Sequence, residues 1–96
     1  MAYVLVARMK ANDGAEDEAA GVITELAEAS RQEPGVELYL TCRDPEDPRS
    51  FLLFEQYRDR AAFEEHGATE HFTRLGPGRL FPLMESRERV FYETFA

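Results

Sequence analysis

The sequence predicts an α+β fold in which an antiparallel sheet of four strands carries its helices on one face. Four segments have the apolar or alternating pattern of strands, and two amphipathic segments separate them in the order βαββαβ. Proline- and glycine-bearing turns mark most of the boundaries. The 96 residues fit one domain, residues 1–96, and leave no room for a second core.

The first strand and the first helix are predicted from the N-terminal third of the chain. Tyr3 to Lys10 is rich in apolar residues on both faces, as in a strand that is covered on both sides. Asp13, with Glu16 three positions later, has the form of a capping box and predicts a helix that begins near Ala15. The helix ends at Pro34-Gly35, because proline restricts the residue before it and glycine favours a turn.

Two strands joined by a hairpin are predicted next. Residues 36–43 alternate between apolar and polar side chains, which indicates a strand with two different faces. Residues 44–49 hold two prolines and three acids and predict an exposed connection. The third strand, Ser50 to Tyr57, is apolar except at Glu55 and Gln56.

A broken helix follows the third strand. Asp59 is placed to cap it, Gly67 weakens it, and Thr69 can cap a new turn. Residues 76–86 are predicted to be a loop with exposed apolar side chains such as Leu80.

The last strand, residues 87–95, completes the order βαββαβ, which is the ferredoxin-like arrangement. The first and third strands are apolar on both faces, whereas helices cover only one face of this sheet. We therefore expect a homodimer joined sheet to sheet. Either Phe91 and Phe95, or Val90 and Tyr92, are expected to meet the partner.

Composition narrows the classes of partner and compartment. The chain has 19 acidic and 11 basic residues, a net charge of −8, which argues against binding to nucleic acid or to an anionic membrane. It contains no apolar run of about 18 residues, and a cytoplasmic protein is expected. The single cysteine, Cys42, has no partner for an intramolecular disulfide and is predicted to be a buried, inert thiol.

The segment from residue 51 to residue 72 contains the side chains that are candidates for catalysis. Glu55 interrupts an apolar strand, and His66 and His71 follow on the next helix, so a carboxylate and an imidazole are expected across one cleft. The alternatives are an edge carboxylate with two partly exposed histidines, and a metal site formed by His66, Glu70 and His71.

The same segment resembles the antibiotic biosynthesis monooxygenase family. The pattern F-x-L-x-E-x-[WY]-x-D-x-x-A-x-x-x-H, followed by H-F, starts at Phe51, and the P-G-V turn starts at Pro34. Members of this family are dimeric α+β barrels. They include cofactor-independent quinol monooxygenases, haem-degrading enzymes and an isomerase of a phosphorylated quorum-sensing signal.

The resemblance implies a monooxygenase that oxidises a small phenolic, quinol or polyketide-type aromatic substrate with dioxygen and needs no cofactor or metal. It makes His66 or His71 the base and Glu55 its orienting partner. Where polyketide-modifying members have asparagine and tryptophan, this chain has Leu53 and Tyr57. The expected aromatic walls are Tyr39, Phe54, Tyr57, Phe63, Phe72 and Phe81.

Two other functions remain open at this stage. The same groups suit an isomerase that moves a proton next to a carbonyl, for which Arg74 and Arg79 are candidate anion-binding residues. A dimer of this fold can also bind a small ligand without catalysis.

Overall fold

The four strands form one antiparallel sheet in the order β2-β3-β1-β4, as seen in a computed structural model that describes residues 1–96. The elements in chain order are β1 (Tyr3–Ala11), α1 (Glu16–Ser30), β2 (Val36–Asp44), β3 (Asp47–Tyr57), α2 (Arg60–Gly67), α3 (Glu70–Leu75) and β4 (Met84–Glu93). This is the predicted ferredoxin-like α+β fold. None of its helices combines the length and the apolar character needed to span a bilayer.

One face of the sheet forms the core with the helices. Alternation along β1 directs Leu5, Ala7 and Met9 to this face, where they cluster with buried residues of α1. Val22 and Leu26 of α1 belong to the same cluster and are almost fully buried. The apolar face of α1 is therefore satisfied within the chain.

The start of α1 differs from the prediction. The residue that precedes the helix is Ala15, and no side chain caps it, so the capping box of Asp13 and Glu16 is wrong. Gly14 has a φ of 83°, and the Ala15 amide donates to the Asn12 carbonyl oxygen at 2.9 Å. This turn moves Asp13 out of the capping position, and the backbone of the turn takes over the role of the cap.

The helix following β3 is broken as predicted. Asp59 accepts a hydrogen bond from the Ala62 amide at 2.9 Å, which caps α2. The helix ends at Gly67, and the Thr69 hydroxyl accepts from the Phe72 amide at 3.2 Å to start α3. The break lets α2 and α3 present side chains in two directions.

The segment between α3 and β4 is not the predicted open loop. A π-helical turn, Gly76–Leu80, and a short 3₁₀ turn, Phe81–Leu83, fill it. Leu80 is fully buried in the core, so its predicted exposure is wrong. The strand β4 begins at Met84 rather than at Arg87 because the compact turns end there.

The opposite face of the sheet is left uncovered. The strand register places Leu40, Phe54, Val6 and Val90 in one row on this open face. Leu40 is 46% exposed, and Val90 is 43% exposed. Tyr92 lies on the same face as Val90, whereas Phe91 points toward the helices. Of the two pairs predicted to meet the partner, Val90 and Tyr92 is therefore the pair on the open face.

Cys42 also lies on the open face, opposite Leu52. It is a free, exposed cysteine, so its predicted burial is wrong for the single chain. The prediction failed because β2 is an edge strand and nothing in the chain covers its outer face.

We propose that a second copy of the chain covers the open face, because exposed apolar area of this extent on a sheet is typical of an interface. Light scattering at micromolar concentration should give about twice the 11.0 kDa mass of one chain. Leu40→Arg should shift the mass toward one chain by placing a charge in the interface, and Glu28→Arg on the exposed face of α1 should not. A wild-type mass of one chain would contradict the proposal.

Candidate functional site

A cavity of about 500 Å³ lies between the helix-facing side of the sheet and the segments α2, α3 and the 3₁₀ turn. Its lining is mostly apolar and aromatic. Three buried polar side chains belong to it: Tyr39 from β2, Glu55 from β3 and His66 from α2. A concave apolar site with a few convergent polar groups is the usual form of a small-molecule site.

A second depression, of about 660 Å³, is more open and lies over polar strand residues that include Arg8, Lys10 and Arg43. It contains none of the three buried polar side chains of the smaller cavity. The smaller cavity is therefore the candidate site, since buried titratable groups are where chemistry is usually performed.

Glu55 is held on the floor of the cavity by its strand position. Two-residue alternation directs Glu55 and Tyr57 to the same face of β3, and the register places Tyr39 of β2 directly opposite Glu55. The Tyr57 hydroxyl donates a hydrogen bond to Oε1 of Glu55 at 2.5 Å. Glu55 is only 4% exposed.

Burial sets the protonation behaviour of this group. Removal from water raises the pKa of Glu55 to about 7, although the hydroxyls of Tyr57 and Tyr39 oppose the increase by bonding to the carboxylate. Burial and the nearby Glu55 carboxylate raise the pKa values of Tyr57 and Tyr39 well above the ordinary tyrosine value. Both tyrosines therefore stay protonated and act as hydrogen-bond donors.

The two histidines meet a different carboxylate from the one predicted. Nδ1 of His66 lies 2.8 Å from Oε2 of Glu33, and Nε2 of His71 lies 2.6 Å from the same oxygen. The prediction that Glu55 orients a histidine is wrong. The break between α2 and α3 turns both imidazoles toward the α1–β2 turn, where Glu33 precedes Pro34.

Sequence reasoning missed Glu33 because it is far from both histidines along the chain. Glu33 is separated from His66 by 33 positions and from His71 by 38 positions. The available signal was an acid placed directly before the Pro-Gly turn, at the end of a helix that packs on the sheet.

His66 and His71 have different surroundings. His66 is 2% exposed, and burial lowers its pKa despite the opposing effect of Glu33. His66 lines the cavity, and its ring centroid lies 5.4 Å from that of Tyr57. The side chain of His71 is 21% exposed and lies outside the cavity lining, in contact with Glu33.

The predicted aromatic walls are found in three places. Tyr39, Phe63, Phe72 and Phe81 line the cavity. Tyr57 is fully buried behind Glu55 and is not part of the lining. The expectation for Phe54 is wrong, because alternation along β3 directs it to the open face.

Arginines on β4 border the cavity, and the two that were predicted to bind an anion do not. Arg74 pairs with Glu70 and Glu25, and Arg79 pairs with Glu25, away from the cavity.

Arg87 and Arg89 of β4 line the cavity instead. Their guanidinium carbons lie 3.7 Å and 5.2 Å from the ring centroids of Phe81 and Phe91. Neither arginine forms an ion pair within 4.0 Å, although the charge of Arg89 helps to lower the pKa of Glu55.

The residues able to hold a metal ion are Glu33, His66 and His71, whose ligand atoms lie within 4.8 Å of one another. Glu70, the carboxylate in the predicted metal set, instead accepts a hydrogen bond from Arg74 at 3.0 Å. The set that contains Glu70 is wrong because the new helix start at Thr69 turns Glu70 to the outer surface.

Comparison with known proteins agrees with this architecture. Residues 2–76 match the family model for antibiotic biosynthesis monooxygenase. The chain belongs to that family.

Solved structures of similar proteins match nearly the whole length of this chain. An antibiotic biosynthesis monooxygenase crystal structure is 33% identical with a TM-score of 0.90, and the alignment covers 98% of this chain and 99% of that one. A Pseudomonas aeruginosa protein is 30% identical with a TM-score of 0.90, covering 99% and 95% of the two chains. A putative antibiotic biosynthesis monooxygenase from Bacteroides thetaiotaomicron is 27% identical with a TM-score of 0.89, covering 99% and 90%.

A curated relative is an uncharacterised protein of Synechocystis. It is 33% identical to this family member over 69 residues, which are 72% of this chain and 47% of the relative. The matched part of the chain therefore spans about half the length of that relative.

Glu55→Gln tests the raised pKa through the free energy of unfolding. A carboxyl group whose pKa rises from 4.5 to about 7 on folding stabilises the fold below pH 4.5, and this contribution is lost as the pH rises through 7. The loss is on the order of 3 kcal/mol. Glutamine keeps an oxygen acceptor for Tyr57 and removes the titration.

Urea unfolding at pH 5 and pH 8 measures this effect. The stability of Glu55→Gln relative to wild type should be higher at pH 8 than at pH 5 by on the order of 2–3 kcal/mol. For Glu28→Gln, at an exposed position of α1, the free energy of unfolding should change with pH as it does in wild type. Parallel curves for Glu55→Gln would show that Glu55 ionises as an ordinary carboxylate.

Proposed function

We propose that the protein is a cofactor-independent monooxygenase that oxidises a small phenolic or quinol substrate, or a polyketide-type aromatic, with dioxygen. One observation carries the proposal: a carboxyl group with a pKa of about 7 is buried in an aromatic cavity large enough for a small ring compound. Membership of the antibiotic biosynthesis monooxygenase family supports the same reaction class.

Glu55 is the base in this proposal, in place of the histidines. A general base is most effective when its pKa is near the working pH, and the value for Glu55 meets this requirement. His71 lies outside the cavity lining, and Nδ1 of His66 is already bonded to Glu33. His66 remains beside the substrate as a cavity wall and a hydrogen-bonding group.

The reaction needs only proton removal and exclusion of water from the protein. Glu55 takes the phenolic proton, and the resulting phenolate transfers one electron to dioxygen. The phenoxyl radical and superoxide combine to form a peroxide at a ring carbon. Glu55 returns its proton to the peroxide, and loss of water leaves a quinone. One atom of dioxygen is in the quinone and the other is in water, so no external reductant is required.

The cavity walls and its rim suit such a substrate. Phe63, Phe72 and Phe81 offer apolar ring faces that keep water out. Arg87 and Arg89 at the rim stabilise a phenolate electrostatically, since neither forms a direct ion pair within the chain.

An isomerase is the second candidate, and one observation favours it. Glu55 and His66 are two titratable groups in one cavity, so one can remove a proton next to a carbonyl and the other can return it. An isomerase consumes no oxygen, and a non-catalytic ligand-binding dimer changes no substrate. Oxygen uptake therefore separates the monooxygenase from the other two functions, and conversion of the substrate without oxygen uptake separates the isomerase from the ligand-binding dimer.

The first test measures oxygen consumption with a panel of quinols and phenols. Wild type should consume one dioxygen per quinone formed. Glu55→Gln should lower the rate on the order of 100-fold, the usual effect of removing a general base. Glu28→Gln serves as the matched control at an exposed site. Full activity of Glu55→Gln would exclude Glu55 as the base.

The second test uses the pH profile of kcat/KM. Activity that requires ionised Glu55 should fall as the pH drops through about 7. Tyr57→Phe removes a hydrogen bond that lowers the pKa of Glu55, so this acid limb should move to higher pH. Tyr92→Phe, on the open face, should leave the profile in place. An unchanged limb in Tyr57→Phe would mean that another group controls the reaction.

A further inference from the structure

Three side chains from separate segments converge on one point beside the cavity. Glu33 lies in the turn after α1, His66 near the end of α2, and His71 in α3. Both imidazole nitrogens approach the same carboxylate oxygen, Oε2 of Glu33, at 2.8 Å and 2.6 Å. All three ligand atoms lie within 4.8 Å of one another.

We propose that Glu33, His66 and His71 form a binding site for one Zn²⁺ ion per chain. Two imidazoles and one carboxylate are a ligand set that zinc accepts, with a fourth position for water. Hard ions such as Mg²⁺ favour oxygen ligands and are expected to bind poorly. The proposal does not depend on the monooxygenase reaction, because it concerns the Glu33 side of His66.

The present distances are those of hydrogen bonds, and metal binding changes the cluster slightly. Zinc lies about 2.0–2.1 Å from nitrogen and oxygen ligands, so tetrahedral ligand atoms are about 3.3 Å apart. Each imidazole nitrogen must therefore move away from Oε2 of Glu33 by roughly half an ångström, and the two nitrogens, which now lie within 4.8 Å of each other, must take up the same spacing. To bind the ion, Nδ1 of His66 and Nε2 of His71 must each carry no proton, so that the nitrogen lone pair is available. Small side-chain movements at Glu33 and His71 are enough, because both side chains are partly exposed.

The backbone around the cluster is fixed by its own hydrogen bonds. The Thr69 hydroxyl donates to the His66 carbonyl oxygen at 2.7 Å, and the same hydroxyl caps α3. The Glu33 amide donates to the Ser30 carbonyl oxygen at 3.0 Å, and the Val36 amide donates to the Glu33 carbonyl oxygen at 3.1 Å. The ligands are therefore carried by ordered backbone, which lowers the cost of assembling the site.

The cluster is also accessible to solvent, which can provide a fourth ligand for the ion. The side chain of Glu33 is 14% exposed and that of His71 is 21% exposed. Solvent can therefore reach the cluster and supply the fourth ligand. His66, which is 2% exposed, anchors the inner side.

The composition of the chain makes the test unambiguous. It contains two histidines and one cysteine, so few alternative imidazole or thiolate ligands for zinc exist. Cys42 lies on the open face of the sheet, and Cys42→Ser removes it as a competing ligand. Glu70→Gln is the matched carboxylate control, next to His71 in the sequence but bonded to Arg74.

Metal-stripped protein titrated with Zn²⁺ should bind one ion per chain with micromolar affinity or better, while Mg²⁺ should not compete. Thermal unfolding should shift upward by several degrees with zinc, because the ion binds the folded state. His71→Ala and Glu33→Gln should each weaken binding by at least 10-fold. Cys42→Ser and Glu70→Gln should bind like wild type.

A second measurement on wild type guards against variants that fail to fold. Histidine ring resonances of both imidazoles should shift at one equivalent of Zn²⁺, and Co²⁺ should give a visible absorption band typical of four ligands. Millimolar binding in wild type, or full affinity in His71→Ala, would overturn the proposal. Oxygen uptake plays no part in these measurements, so this proposal and the monooxygenase fail or succeed separately.

Discussion

The carboxyl group of Glu55 is the group around which the site is organised. It occupies an inward-facing position on a central strand, where an apolar side chain would otherwise complete the core. Burying an ionised carboxylate is costly, so burial raises the pKa of Glu55, and hydrogen bonds from Tyr57 and Tyr39 offset part of this increase. The same burial that costs stability at neutral pH makes the group a proton acceptor in the range where a base is useful.

The break between α2 and α3 determines the other polar contacts. A continuous helix would carry the five-residue step from His66 to His71 well around the helix axis. Ending one helix at Gly67 and capping the next with Thr69 brings both imidazoles to Glu33. The interruption between the two helices therefore allows them to contact the α1–β2 turn through Glu33.

Local signals in the sequence predicted the fold well because they are encoded within a few residues. The caps at Asp59 and Thr69 and the order of strands and helices follow from residue types at short spacing. The capping box at Asp13 failed because the turn at Gly14, which has a positive φ, places the capping position of the helix two residues later, at Ala15, and spacing alone does not reveal this. Leu80 was misplaced because proline and glycine suggested an open loop, whereas the chain wraps into compact turns.

The candidate site was predicted only in part, since its decisive contacts join distant segments. Strand alternation was enough to place Glu55 inward, and helical spacing did the same for His66. The partner of the histidines is set by how α1 packs on the sheet, and no local pattern links Glu33 to residue 66 or 71. The same is true of Arg87 and Arg89, whose strand borders the cavity only once the sheet order is known.

The position of Cys42 has a practical consequence for handling the protein. Its thiol is the single one in the chain and lies on the open face of the sheet, on an edge strand. Alkylating reagents react with accessible thiols and slowly with enclosed ones. In a sheet-to-sheet pair the rate of labelling at Cys42 would follow the fraction of separated chains, so a simple chemical modification can serve as a clock for dissociation.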